Sequence, residues 1–524
     1  MFDNFFKDLK DTLVGEIRTD PISKQVYSVD ASIYEVEPIA IVLPKNKNDL
    51  INAVKIAKEH DIPVIARGAA TGITGGCLGR ALVIDTTKHL NRILEINTAQ
   101  EYAICEPGVV QDQLNEELGK RGYRLGPDTS TGNRATIGGM LGNNAAGSRS
   151  LKYGCMVDHV LQVELVLASG ESISFAEVDE QTWKHKRTLH NAEGQIYKKI
   201  YQIRQKYGDE IENRYPHIPR RVSGYNLNEL IKPQPLNISK LIAGSEGTLG
   251  IATEIKMNIC LRLKSTSLCI LHFDNMIQGM HSIQTILQYH PVAVEMIDRN
   301  IIAMGRLAPK MKDKLDWLSG DPESVFVVEF EGENVSHAEQ KASAFANAMK
   351  QKNIGYAAVC LSKPSIMSHV WEVRKSGLTL LLSKRSYQRA VAFIEDISVA
   401  PERLPAFMGD FCKYLEQQGK TAGIYGHVGS GCMHLRPYMD MRKEEDLAHM
   451  KKILLDVSDL LLKHQGASRS SRLAPFGFHA RYAGYCRIGM PAMRCCHSAG
   501  PVWWMLVPLA STATVTGMST TSNS

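Results

Sequence analysis

The chain of 524 residues contains no pair of cysteines at Cys-x-x-Cys spacing, although it has eleven cysteines. That scatter argues against an iron–sulfur cluster, a thiolate zinc site or a disulfide framework within this sequence. No run approaches the ~18 unbroken apolar residues of a membrane-spanning helix. The start, MFDNFFKDLKDTL, lacks the basic head, apolar middle and small-residue cleavage site of a secretory signal, and reads as an amphipathic helix. The expected setting is cytoplasmic. Two nucleotide fingerprints are missing as well. No Gly-x-Gly-x-x-Gly opens a helix after a strand, and Gly419-Lys420-Thr421 has Tyr414 where a Walker loop requires its first glycine.

Acidic residues are lacking in one place. After Asp459 there are six Lys or Arg and no Asp or Glu, so the net charge of +6 comes from this stretch, and the first 459 residues balance at 55 of each sign. The basic excess is therefore not a nucleic-acid footprint, and no nucleic acid is expected as a partner. Residues 466–524 follow no strand, heptad or capping pattern, and we read them as an atypical tail, shifted out of frame near Gly466 and not natively folded. With 44% hydrophobic and 22% charged residues, the remainder suffices for two or three ordinary cores.

What is present is glycine, in three clusters. The segment Gly126–Gly154 (GPDTSTGNRATIGGMLGNNAAGSRSLKYG) has twenty Gly, Ser, Thr, Asn, Ala or Pro residues. Such a stretch leaves main-chain N–H groups open to a phosphate-bearing ligand and cannot form a packed core. In chain order that segment is the second cluster; the first, PVIARGAATGITGG from Pro63, follows an amphipathic helix predicted over 48–60 (Leu50, Val54, Ala57) and a short strand. The third, IAGSEGTLGIATEI from Ile242, runs into an alternating strand. Strands are further predicted over 268–273 and 324–331, and helices over 276–289 and 336–351.

One histidine pair stands out. In GHVGSGCMHLRP, His427 and His434 are seven apart, so a continuous strand would send their rings to opposite faces. The Gly429-Ser430-Gly431 interruption makes a turn that brings them back together.

The segments GPDTSTGNR, IGGMLGNNAAGSRS and GHVGSGCMHLRP resemble the vanillyl-alcohol oxidase and para-cresol methylhydroxylase flavoprotein superfamily. Within it they resemble the FAD-linked D-2-hydroxy-acid dehydrogenases of the glycolate oxidase, D-lactate dehydrogenase and D-2-hydroxyglutarate dehydrogenase types. The nearest likeness is to the flavin half of large fused FAD and iron–sulfur dehydrogenases, and it covers residues 35–465. It implies an α+β fold: a helical lead-in over 1–35, a two-part FAD-binding domain of the para-cresol methylhydroxylase type over 36–262, and a ferredoxin-like antiparallel-sheet cap over 263–465.

The resemblance also implies a ligand set. The loop of Arg67, Gly68, Ala69, Thr71, Gly72, Thr74, Gly75 and Gly76 would wrap the FAD pyrophosphate. Pro127, Asp128, Thr129, Ser130, Ile137, Gly138, Gly139, Gly142, Asn143, Asn144 and Gly147 would line pyrophosphate and isoalloxazine, and Glu246, Gly247, Gly250 and Ile251 the adenosine and flavin side. Cys77 without a neighbouring histidine implies non-covalent FAD. His427 and His434 match the two histidines of a divalent-metal site (zinc or manganese in the family) that receives the substrate hydroxyl. Arg374, in Trp371-Glu372-Val373-Arg374, matches the clamp for the substrate carboxylate. Arg436 offers a second cation for a dicarboxylate. Glu395 and Asp396 are read either as supporting the site from behind its ligands or, by preference, as solvated, and Arg220, Arg221 and Ser223–Asn226 as a basic turn or a flavin-edge segment.

In the family a Gly-Glu-His-Gly motif follows the cap and supplies a metal carboxylate and the catalytic base; neither residue occurs here. Metal affinity is accordingly expected to be weak, the family base is unassigned, and the chain is expected to be impaired. The implied activity is FAD-dependent oxidation of a small D-2-hydroxy acid to the 2-oxo acid. Electrons would pass to an iron–sulfur protein or domain, with peripheral association at the inner face of a membrane through that acceptor. The alternatives are an alcohol or phenol oxidase or electron-transfer flavoprotein of the same superfamily, and a non-catalytic FAD-binding remnant.

Overall fold

The computed structural model describes residues 2–221, 224–233 and 235–468. Ser223 of the basic turn and the tail beyond Ser468 lie outside the described residues. The chain opens with the helix Asp3–Thr12, whose Phe5 and Leu9 are buried as the amphipathic reading requires. The helix Lys47–Glu59 is capped by Asn46, whose side chain accepts from Asp49 N, and it buries Leu50, Val54 and Ala57. Both pack on a four-stranded sheet ordered Glu16–Arg18, Ala40–Leu43, Leu82–Asp85, Val64–Arg67, in which the last three strands are parallel. The first glycine cluster leaves the C-terminal end of the Val64–Arg67 strand, where parallel α/β units characteristically open a crevice.

A second, six-stranded antiparallel sheet runs Leu236–Asn237, Ser172–Val178, Val160–Val166, Ile251–Asn258, Tyr102–Cys105, Ile93–Asn97. The Ile251–Asn258 strand alternates strictly between buried and half-buried residues, because one face meets a core and the other does not. The long helix Ala192–Arg214 lays Ile196, Ile200, Ile203 and Ile211 on that core beside Trp183.

The third sheet is antiparallel; its central strands are buried on both faces, while the edge strand Ala357–Leu361 is partly exposed. It is ordered Ala357–Leu361, Ser265–Phe273, Ser324–Gly332, Ala293–Asp298, Ala422–His427, Cys432–Met439, Arg389–Ala390, with Ile394–Ser398 also pairing Cys432–Met439. Leu268 and Ile270 enter one core while Cys269, Leu271 and Phe273 enter the other. The helices Val335–Gln351, Leu404–Gln417 and Glu444–Lys463 cover the Cys269 side; Arg299–Leu307, Pro364–Lys375 and Gly377–Leu382 cover the opposite side. The α+β class is as the sequence implies.

The helix expected over 276–289 is two helices, Met276–His281 and Ile283–Leu287, because the Ser282 hydroxyl donates to Gly279 O (2.6 Å) and competes with the backbone ladder. The cap sheet is pinned by Asp298, which accepts from Ile301 N at the start of its helix (3.0 Å) and from Ile424 N on the adjacent strand (2.8 Å). Asp298→Ala removes both acceptors at a buried position and is expected to cost about 2–3 kcal/mol, read as a lower urea midpoint at unchanged m-value.

Candidate functional site

The three glycine clusters converge. Gly244 N donates to Leu141 O and Glu246 N to Gly142 O, both at 2.9 Å, so the third cluster is bonded to the second. The first lies against the second where Gly68 faces Thr136: a Cβ on Gly68 would stand 2.3 Å from Thr136 Oγ1. Together they line a cavity of ≈ 680 Å³. Of the residues assigned to it from the sequence, three stand off its wall. Ile137 is fully buried in the hydrophobic core, Pro127 turns its carbonyl to Gln111 Nε2 (2.6 Å), and Gly75 packs on Tyr34. Arg67 borders the cavity, but its guanidinium donates to Tyr27 O (3.1 Å) and Val29 O (2.8 Å), so its charge is engaged inside the protein. Burial pushes the Cys77 thiol up to about 11, which leaves it a poor nucleophile.

The second cluster reaches the cap through Arg149. Its guanidinium pairs with Asp128 (3.0 Å) inside the glycine segment and with the buried Glu329 of the cap sheet (2.7 Å). That places one face of the cap sheet over the cavity, and this face carries the chemistry. His427 ends one strand and His434 lies on the next, directly opposite Tyr425. The turn Val428–Ser430 closes with Gly431 at φ +70°, and the two rings meet with centroids 5.3 Å apart. The histidines are therefore brought to one face by the turn the sequence shows.

Glu295 is the residue that the sequence did not disclose. It lies one residue beyond the Met296–Gly426 pair, on a strand whose six residues are all buried. Its Oε1 accepts from His427 Nδ1 (2.7 Å), and its Oε2 lies 2.6 Å from Arg374 Nη2, a charge contact whose angle is not that of a hydrogen bond. With the Nδ1 proton committed to Glu295, His427 keeps the Nε2 lone pair. Burial holds His427 well below the ordinary imidazole range, with Arg220 and Arg374 adding to the effect, and so keeps the ring neutral. Burial also pushes the Glu295 carboxyl up to about 7, against the pull of Arg374.

Glu395 and Asp396 are buried, at 1% and 8% exposure, which overturns the preferred solvated reading and agrees with the supporting one. The Ile394–Ser398 strand bulges between Ile394 and Ile397, with Asp396 at φ +45°, so consecutive carboxylates turn to the same site. Asp396 Oδ1 lies 3.2 Å from His434 Nδ1, and the ligand atoms of Glu395, Asp396 and His434 fall within 4.8 Å of one another. Arg436 is bonded to Glu395 at 2.6 and 3.0 Å and to the Tyr425 hydroxyl at 3.2 Å, so the second cation offered by the sequence is engaged inside the protein. Arg220 borders the cavity, 7% exposed, with an Nη1 that has no hydrogen-bond partner among the described residues. Only its neighbouring Arg and the following glycine hinted at it in the sequence.

These features define a two-domain flavoprotein fold: an FAD-binding half with a glycine-lined crevice, closed by an antiparallel cap that bears acid, base and guanidinium groups. Residues 38–176 match the family model of an FAD binding domain, and residues 262–469 that of the C-terminal domain of FAD linked oxidases. The chain belongs to this FAD-linked oxidoreductase family. It is 28% identical over 464 residues to the D-2-hydroxyglutarate dehydrogenase of Pseudomonas putida, covering 86% of this chain and 46% of that protein. It is 23% identical to glycolate oxidase subunit GlcD of Bacillus subtilis, covering 88% of this chain and 87% of that protein. The chain spans about half the length of the D-2-hydroxyglutarate dehydrogenases it matches first. Among solved structures, p-cresol methylhydroxylase with substrate bound superposes with a TM-score of 0.63 at 13% identity, over 89% of this chain and 88% of that one, a likeness of fold. No helix among the described residues is long and apolar enough to cross a membrane.

Proposed function

We propose that this chain oxidises a small D-2-hydroxy acid, of the lactate, glycolate or 2-hydroxyglutarate kind, to its 2-oxo acid with FAD held non-covalently in the glycine-lined cavity. The observation that carries the reading is the apposition of Arg374, His427 and His434 on the cap face above that cavity. Bound FAD supplies the hydride acceptor, its N5, for the hydrogen leaving C2 of the acid. The cavity suits the dinucleotide because its three glycine clusters bring main chain and small side chains to the wall, where N–H groups can meet a pyrophosphate.

The donor set also suits a divalent cation of the zinc or manganese kind. His427 Nε2, His434 and Asp396 would hold it, with Glu295 orienting His427 and Arg436 holding Glu395 in place. An ion there would lower the pKa of the substrate hydroxyl. Asp396 thus offers the carboxylate that the Gly-Glu-His-Gly motif supplies in relatives, but no residue of the described site takes the place of that motif's histidine. Arg374 reads the substrate carboxylate through donors left after its contact with Glu295, and the neutral His427 keeps the site free of an extra cation. The expected chain is competent to bind FAD and acid but slow in turnover. Its electrons pass to an iron–sulfur or other acceptor, for which this sequence has no cluster-type cysteine spacing.

An anaerobic titration of the FAD-loaded protein tests this. Flavin bleaching with D-lactate or D-2-hydroxyglutarate, slow and dependent on the D configuration, is the expected result. Bleaching by a neutral alcohol or a phenol alone would overturn the carboxylate reading, and a flavin that no donor reduces and no hydroxy acid perturbs would leave a remnant that only binds FAD.

A further inference from the structure

Two of the cysteines face each other across the cap sheet, well away from the cavity. Cys269 lies on the Ser265–Phe273 strand and Cys360 on Ala357–Leu361, the strand at the sheet edge, and they are directly paired in the antiparallel register. Directly opposed residues point to the same face, with Cα atoms ~4.5–5.5 Å apart, inside the ~4.4–6.8 Å that a disulfide spans. Among the described residues no other two cysteines are paired in this way.

Their surroundings differ. Cys269 is fully buried beneath the helix Val335–Gln351, whereas Cys360 is exposed. The Cys360 thiol reaches Ala342 O of that helix at 3.5 Å. Donation from the buried thiol to Cys360 brings the exposed thiol down to about 7 and pushes Cys269 up, so the outer sulfur is the one that ionises. An accessible, ionisable thiol with a second thiol directly opposite it on the neighbouring strand is the arrangement of an attacking and a resolving cysteine.

We propose that Cys360 and Cys269 form a thiol–disulfide exchange site that closes as a cross-strand disulfide on reaction with a low-molecular-weight disulfide of the glutathione kind. In the first step the Cys360 thiolate attacks one sulfur of the small disulfide, forming the mixed disulfide and releasing one small thiolate. In the second, Cys269 loses its proton to that thiolate and attacks Cys360 Sγ, releasing the second thiolate, which takes up the proton lost by Cys360. Two protein thiols are oxidised and one small disulfide is reduced to two thiols. The product ties the edge strand to its neighbour and closes a long loop of chain, which restricts the unfolded state.

The test treats the reduced, purified full chain with oxidised glutathione and maps its peptides without reduction. The expected product is a 269–360 cross-link, with thermal unfolding raised by roughly 5 °C over the reduced form. Cys269→Ser should instead trap glutathione on Cys360 with no such rise, and Cys360→Ser should leave Cys269 unmodified. Because Cys360 is exposed, the second variant keeps the test readable should substitution of the buried residue impair folding. Glutathione retained on Cys360 of the unsubstituted chain with Cys269 still free, or no reaction at either sulfur, would overturn the proposal.

Discussion

Gly147→Ala is expected to yield a protein that purifies colourless and gains no thermal stability from added FAD. A Cβ at this position would stand 1.7 Å from the carbonyl oxygen of Asp128 and 2.2 Å from its Oδ1. The first obstacle is backbone and cannot swing aside. The second is tied to Arg149, which is tied in turn to Glu329, so yielding there loosens the seam between cavity and cap. Overpacking of this kind costs about 3 kcal/mol at the upper end, or ~100-fold in FAD affinity if it falls on the bound form. Gly208→Ala is the control: nothing lies within 4 Å of its Cβ, and it sits on the helix Ala192–Arg214 where alanine is preferred to glycine. Equal flavin content in the two variants would mean that the second glycine cluster does not form the cofactor wall.

The second large effect is expected at Arg374. Arg374→Ala in the FAD-loaded protein should weaken the binding of a D-2-hydroxy acid by ~100-fold, about 3 kcal/mol for a charged hydrogen-bonding group, measured by perturbation of the flavin spectrum. The same change strips Glu295 of its cation at a site with no exposure, which by itself costs about 3–5 kcal/mol of stability. Arg374→Ala combined with Glu295→Gln separates the two. The pair should recover stability while binding stays lost. Recovery of binding as well would reduce Arg374 to a counter-ion of Glu295, and Arg220, whose Nη1 is unbonded among the described residues, would be the next guanidinium to test for the carboxylate.

The parts of the fold that were legible are those whose signal is local. The glycine clusters announce themselves because a cofactor wall needs small residues in sequence, and the helix Lys47–Glu59 because an Asn cap and a 3.6-residue rhythm lie within a dozen positions. His427 and His434 were legible for the same reason, a turn of three small residues between them. Glu295 was not, since its meaning depends on a partner 132 residues away that only strand register supplies. The one available trace was a carboxylate inside the otherwise apolar run 293–297. Glu395 and Asp396 looked solvated because two adjacent acids normally straddle a strand, and a bulge with a left-handed aspartate is not written in residue type. Arg436 matched the substrate end of the site by position, yet its charge is engaged by a neighbouring strand.

At Ala467 the chain comes back to the sheet. It exchanges two hydrogen bonds of 2.8 Å with Ser398, and the Ser468 hydroxyl donates to Glu395 O at 3.0 Å. Residues 466–468, assigned from the sequence to the tail, are thus moored alongside the bulge that carries both carboxylates. A synthetic extension grafted at this mooring would set out beside the strand that carries both carboxylates.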